Sequence, residues 1–243
     1  MSQAHYLRVV TYNIHKCRGL DRRVRPGRIA DVLKGIDADI IALQEVLSIE
    51  GPKREEDQLR FIVDELGFDF AFGETRRLKG GRYGNVVLSR FPIHVHRNFD
   101  ITTPGHERRG CLRTDIQVNG SMLHVFNVHL GTAIVDHRQQ ARRLFDERIV
   151  SHAELQGRRI VLGDFNEWFR GMVGPTLKSH LEHADVRQHL KRPRTYPGVL
   201  PIFNLDHIYF DRSLKLERLH LHKRRPALIA SDHLPLVADF TLN

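Results

Sequence analysis

Arg159-Ile160-Val161-Leu162-Gly163-Asp164-Phe165-Asn166 is the stretch on which the fold turns. Its apolar, β-branched run is too short for a buried helix and reads as a buried strand. Gly163, Asp164 and Asn166 are turn formers, and they close it. Taken alone, Asp164 and Asn166 fit an ordinary turn before a helix equally well. Working outward, the same pattern recurs. Tyr6-Leu7-Arg8-Val9-Val10-Thr11-Tyr12 ends at Asn13, and Asp39-Ile40-Ile41-Ala42-Leu43 ends at Gln44-Glu45. Leu123 to His129 ends in Asn127-Val128-His129, and Asn85 opens the strand Asn85-Val86-Val87-Leu88-Ser89. Leu205 to Phe210 carries Asp206, and Leu236 to Leu242 follows Ser231-Asp232-His233. Apolar strands that meet acidic, amide or imidazole residues at their ends place those groups along one edge of a sheet.

Helical patterns lie between the strands. Ile29, Val32, Leu33 and Ile36 fall at helical spacing, as do Leu59, Ile62, Val63 and Leu66 before a stop at Gly67. A longer helix is expected from Asp136 to Leu155, with Ala141, Leu144, Phe145 and Ile149 inward. Leu112 to Val118 and Leu123 to His129 read as a hairpin turning at Asn119-Gly120. The alternation predicts two sheets packed face to face with helices outside. No fixed-period repeat or Pro/Gly/Ser linker divides the chain, so residues 1–243 are expected to form a single domain.

With 243 residues, 41% of them hydrophobic, the chain has enough apolar mass for one substantial core. No apolar run is long enough for a transmembrane helix, and Met1-Ser2-Gln3-Ala4-His5 lacks the features of a signal peptide. Cys17 and Cys111 are too few and too distant for a secreted disulfide scaffold. Free thiols in a reducing cytoplasm are expected, with a single disulfide as the alternative. The formal net charge of +9 suits nucleic acid, an anionic membrane surface or small phosphorylated molecules, or serves solubility alone.

The strand-end residues suit one chemistry in particular. A hard divalent cation takes oxygen ligands, which Glu45, Asp232 and the amide oxygens of Asn13 or Asn166 offer. His233 is a candidate acid or base near neutral pH. Asp206 could orient that ring, and Arg109 in Glu107-Arg108-Arg109-Gly110 could grip phosphoryl oxygens. Each residue alone has a plainer reading. Glu45 could be a solvated charge, His129 a core histidine, and Asp232-His233 a cap before Pro235. Their joint occurrence is far harder to explain that way. His220 and His222 are spaced as on one strand face, but they lack a third zinc ligand and are expected at the surface.

In series, Thr11-Tyr12-Asn13, Leu43-Gln44-Glu45-Val46, Gly84 to Ser89, Asn127-Val128-His129-Leu130, Gly163-Asp164-Phe165-Asn166, Leu205-Asp206 and Ser231 to Leu236 resemble the endonuclease/exonuclease/phosphatase family. The resemblance runs from Val10 to Phe240. It implies a DNase I-like, four-layer α/β sandwich: two packed mixed β-sheets flanked by helices. It implies a monomeric hydrolase of phosphate esters that uses Mg²⁺ or Mn²⁺. Carried over by motif, Asn13, Glu45 and Asp232 would bind metal. His129, Asp164, Asn166, Asp206 and His233 would be catalytic, and Arg109 and Asn85 would bind the substrate phosphate. His129 disfavours the abasic-site endonucleases, and Leu205-Asp206-His207-Ile208 disfavours the inositol-polyphosphate 5-phosphatases. The small bacterial members without an assigned substrate are the nearest likeness.

The substrate follows less directly. Lys16, Arg18, Arg22, Arg23, Arg25 and Arg28 form one basic loop. Arg76, Arg77, Lys79 and Arg82 form a second, Lys191, Arg192 and Arg194 a third, and Lys223, Arg224 and Arg225 a fourth. Such loops suit a nucleic-acid backbone, which makes a nuclease the leading expectation. Trp168, Phe169 and Tyr196 are the aromatic candidates beside the site. They leave room for a phospholipid or phosphorylated small molecule of the sphingomyelinase type.

Overall fold

The computed structural model describes residues 5–51, 56–146, 149–152, 155–168, 177–185, 189, 195–196 and 203–242. Phe169, Lys191, Arg192 and Arg194 lie outside these residues. One sheet holds β1 (His5–Asn13), β2 (Ile40–Ser48), β3 (Asp69–Leu78), β4 (Gly81–Ser89), β11 (Leu214–Leu221) and β12 (Leu236–Leu242), in the order β11-β12-β1-β2-β4-β3. The other holds β5 (Ile93–Asp100), β6 (Gly110–Val118), β7 (Ser121–His129), β8 (Arg158–Asp164), β9 (Glu182–His183) and β10 (Asp206–Phe210), in the order β5-β6-β7-β8-β10-β9.

The two sheets share one plan. Each centres on a parallel pair, β1 with β2 and β7 with β8, flanked by antiparallel neighbours. Leu7, Val9, Ala42, Val87, Leu112, Val125, Ile160, Leu162 and Phe240 fill the space between the sheets. The opposite faces are covered by helices. The helix α1 (Pro26–Ile36) buries Ile29, Val32, Leu33 and Ile36 on the first sheet, beside Leu59 and Ile62 of α2 (Gln58–Leu66). Gly67 ends α2 in the left-handed conformation, its N–H reaching the Val63 carbonyl. The helix α3 (Ile134–Asp146) covers the second sheet through Ala141, Leu144 and Phe145. A short α4 (Arg225–Ala230) precedes the last strand. Helix, sheet, sheet and helix make the expected four layers.

The hairpin between β6 and β7 turns where expected. Asn119 and Gly120 both take positive φ, 50° and 81°, as a type I′ turn requires. Two expectations need correction. The helix expected from Asp136 to Leu155 begins at Ile134 and ends at Asp146, and Ile149, Val150 and Ser151 lie in a turn. His222 is buried rather than at the surface. β3 and β5, which carry no strong sequence pattern, form edge strands. Cys17 and Cys111 are both free and buried.

Candidate active site

The shared plan explains why the polar residues meet. A parallel pair brings two strand C-termini to the same edge, and both central pairs deliver theirs to one place. Asn13, the end of β1, lies beside Gln44 where the pairing with β2 stops, although β2 runs on to Ser48 rather than ending at Gln44-Glu45 as expected, and His129 lies beside Asp164 at the end of β7 and β8. The antiparallel β10 starts there too, with Asp206 opposite Asp164. The segment Ser231-Asp232-His233 enters just before β12. Ser231 Oγ donates to the Asn13 carbonyl at 2.8 Å, tying that segment to the end of β1.

Local irregularities aim the side chains. Between Leu43 and Val46 the register of β2 against β4 shifts, so Gln44 and Glu45 together oppose Asn85. Glu45 sits at φ 58° within this bulge. Positive φ is costly for a residue with a Cβ, and such strain is typical of functional positions. The bulge turns Glu45 out of the strict alternation that points Gln44 at the other sheet. At the end of β8, Gly163 has φ 146°, and a Cβ there would lie 1.9 Å from the Val128 carbonyl oxygen. Only glycine allows β8 to run this close to β7 just before Asp164.

Polar pairing between the sheets fixes their spacing. Asn127 Nδ2 donates to the carbonyls of Leu43 at 2.9 Å and Val86 at 2.8 Å, while its Oδ1 accepts from Gln44 Nε2 at 2.8 Å. Asn85 Nδ2 donates to the carbonyls of Gly110 at 3.1 Å and Asn127 at 3.4 Å. Asn85 thus ties the two sheets together, with both its N–H groups spent on backbone.

Asp164, Asp206 and His233 are all buried, with ligand atoms within 4.8 Å of one another. His233 Nδ1 is 2.9 Å from Asp206 Oδ2, and Nε2 is 3.6 Å from Asp164 Oδ2. Burial disfavours the charged ring, but Asp206, Asp164 and Asp232 outweigh it and raise the His233 pKa to about 10. The three carboxylates thus favour the imidazolium form of the ring at neutral pH. His129 Nε2 lies 3.8 Å from Asp164 Oδ2. Burial, helped by the positive charges of Arg109 and His233, lowers the His129 pKa to about 4, so this ring is neutral.

Asn13 lies between two carboxylates. Its Nδ2 is 2.9 Å from Asp164 Oδ2 and 3.3 Å from Glu45 Oε1, while Oδ1 accepts the His15 N–H at 3.0 Å. As oriented it offers a donor rather than the oxygen expected of a metal ligand. Asn166 Nδ2 likewise donates, to the Leu130 carbonyl at 2.9 Å, and its N–H donates to Asp164 Oδ1 at 2.9 Å. Arg109, 7% exposed, shares the Leu130 carbonyl through Nε at 3.1 Å and meets Glu107 at 2.7 Å.

Glu45 and Asp232 form the oxygen-rich part of the site. Burial opposes the ionised form of Glu45, yet His129 in its charged form, then Lys16 and His15, lower its pKa to about 2. Burial likewise opposes ionisation of Asp232, but His15 and His233 lower its pKa. His15 Nδ1 approaches Asp232 Oδ1 at 3.3 Å, and the Lys16 ammonium contacts Glu45 Oε2. A pair of ionised carboxylates fits a hard divalent cation. The Asp164, Asp206 and His233 cluster fits one less well, because Nδ1 of the ring is already bonded to Asp206.

His15 joins the site without having been singled out in the sequence, while Ser231 enters with its quoted motif and Tyr196 as an expected aromatic neighbour. Tyr196 packs on His233 with ring centroids 4.9 Å apart, and Trp168 packs on Tyr196 and Phe203. The adjacency of His15 to Asn13 was the one available signal in the sequence. Of the basic loops, Lys16 and Arg76 reach the site through the Tyr83 ring, at 5.8 and 4.9 Å from its centroid. Arg76 also pairs with Glu107 at 2.7 Å, as Arg28 does with Asp21 and Arg77 with Glu74.

A model of the Endonuclease/Exonuclease/phosphatase family matches residues 10–233. The chain is 33% identical over 252 residues to the uncharacterized protein YbhP of Escherichia coli (strain K12), covering 99% of this chain and 98% of that protein. An endonuclease/exonuclease/phosphatase from Beutenbergia cavernae superposes with a TM-score of 0.77 at 23% identity, covering 98% of this chain and 72% of that one. The human Nocturnin catalytic domain with bound sulfate anion superposes with a TM-score of 0.75 at 20% identity, covering 99% and 98%. The two structural likenesses establish the fold.

Proposed function

The chain belongs to the endonuclease/exonuclease/phosphatase family, and from that premise we propose that it is a divalent-metal-dependent phosphodiesterase acting on nucleic acid. One observation carries the reading. Two ionised carboxylates, Glu45 and Asp232, adjoin a buried chain of Asp164, His233 and Asp206 at a single sheet edge. Glu45 and Asp232 would hold Mg²⁺ or Mn²⁺, which when bound neutralises phosphoryl oxygens and acidifies water.

The remaining steps belong to side chains. Asp164 accepts a proton or hydrogen bond from the attacking water, held in place by Asn13 and the Asn166 N–H. His233, kept protonated by Asp206, donates from Nε2 to the phosphoryl group or the leaving oxygen. Neutral His129 donates a hydrogen bond without adding charge. Arg109, whose charge bears on His129, suits a phosphoryl oxygen. Lys16 and Arg76 extend positive charge away from Glu45, as a polyanionic backbone requires.

Purified protein with Mg²⁺ or Mn²⁺ is expected to cleave single- or double-stranded DNA or RNA, with the activity lost in Glu45→Gln. Intact substrates across a pH series would sink the nuclease reading. The rim formed by Trp168, Tyr196 and Phe203 favours a second reading, a phospholipid headgroup, because Phe203 is 37% exposed. Headgroup release from a phospholipid panel, with nucleic acids untouched, would select it.

A further inference from the structure

Directly after β1, His15, Lys16 and Cys17 take positive φ in succession, at 45°, 57° and 55°. None is glycine or asparagine, and left-handed backbone is unfavourable for residues that carry a Cβ. The surrounding structure imposes the turn. The Cys17 N–H donates to the Ile14 carbonyl at 2.8 Å, the Arg25 N–H to the Cys17 carbonyl at 2.9 Å, and Gln58 Nε2 to the Lys16 carbonyl at 2.7 Å. Its effect is to swing the Lys16 side chain along the Tyr83 ring and onto Glu45 Oε2. The neighbouring His15 turns to Asp232.

We propose that Lys16 is the resident counter-ion of the cation site: a divalent ion displaces its ammonium from Glu45, and the freed ammonium then binds a phosphoryl oxygen. The inference rests on the reading of Glu45 as a metal ligand. Glu45 is mostly buried, with 19% of its side chain exposed, and among the described residues the Lys16 ammonium is the cation in direct contact with it. An ammonium and a divalent ion on one carboxylate repel, so both cannot hold it at full strength. The lysine stem is flexible enough to release its head while the strained turn stays in place. Lys16 thereby weakens the empty site for metal and strengthens the loaded site for phosphate. Cation and anion then bind with positive coupling.

The test is calorimetric titration of Mn²⁺, and of inorganic phosphate at saturating Mn²⁺, into the wild-type chain, Lys16→Met, Lys16→Arg and Glu45→Gln. Thermal melts check that each variant is folded. Lys16→Met is expected to bind Mn²⁺ about threefold to tenfold more tightly, from the modest worth of a part-exposed ion pair. It is expected to bind phosphate at least about threefold more weakly, while Lys16→Arg stays near wild type in both. Mn²⁺ affinity unchanged or weakened in Lys16→Met, or phosphate affinity unchanged, overturns the role of Lys16 if Glu45→Gln has abolished Mn²⁺ binding. Glu45→Gln binding Mn²⁺ as well as wild type overturns the metal reading of Glu45, and this one with it.

Discussion

His233 is the residue whose chemistry the structure changes most. It titrates near 6.5 in an unfolded chain and at about 10 in the fold. Its pairing therefore stabilises the fold fully below about pH 6.5, and that contribution is lost as pH rises through about 10. The stability gap between wild type and His233→Gln, read from urea midpoints, should narrow between pH 7 and 10. A gap independent of pH would contradict the assignment. Asp206→Asn removes the leading favourable charge, so the alkaline limb of the activity profile should move to lower pH. The sequence made His233 legible by its place before a strand. Its protonation was not legible, because Asp206 and Asp164 come from elements distant in sequence. Lys16 shows the same limit. It reads as one charge in a basic loop until a left-handed turn, built without glycine, delivers it to Glu45.

At the scale of elements, the central strands were legible and the edges were not. β1, β2, β7, β8 and β12 are apolar runs because they are buried on both faces. β3, β5 and β11 lie at sheet edges. β5 is exposed along most of its length, with His94, His96 and Arg97 on it. Edge strands carry such charges to resist further pairing, which erases the apolar signature. The bulge at Glu45 is equally silent, since Gln44-Glu45-Val46 carries no turn residue. Asn127 holds the elements together and gives a direct test. Asn127→Leu removes a buried donor from the Leu43 and Val86 carbonyls and one acceptor from the Gln44 amide, which keeps Thr11 and the Ala42 carbonyl. It should cost about 2–4 kcal/mol in chemical denaturation, and a loss below 1 kcal/mol would contradict the inter-sheet tie. Gly163→Ala should likewise lower stability, and it should lower activity further because Asp164 follows it.

For the whole molecule, two sheets of the same plan bring the ends of two parallel pairs to one edge. That symmetry made the convergence of strand-end residues a reasonable expectation. The charge of +9 is spread over loops of which only part reaches the site. On the proposed nuclease reading, Lys16, Arg76 and Arg109 would meet the backbone, exchanging their present partners Glu45 and Glu107 for phosphates. Nucleic-acid affinity should therefore fall with salt at a slope set by a few phosphates, well short of the total charge. Fluorescence anisotropy across a KCl series would measure it, and a salt-independent affinity would contradict the backbone reading. The measurement that bears most directly on the central claim is phosphodiester hydrolysis by the wild-type chain and Glu45→Gln, with Mg²⁺ or Mn²⁺ and after chelation. The structure predicts cleavage that chelation abolishes, that added cation restores, and that Glu45→Gln lowers at least about 100-fold, the size of loss typical for one key electrostatic group. Cleavage indifferent to chelation, or retained by Glu45→Gln, would contradict it.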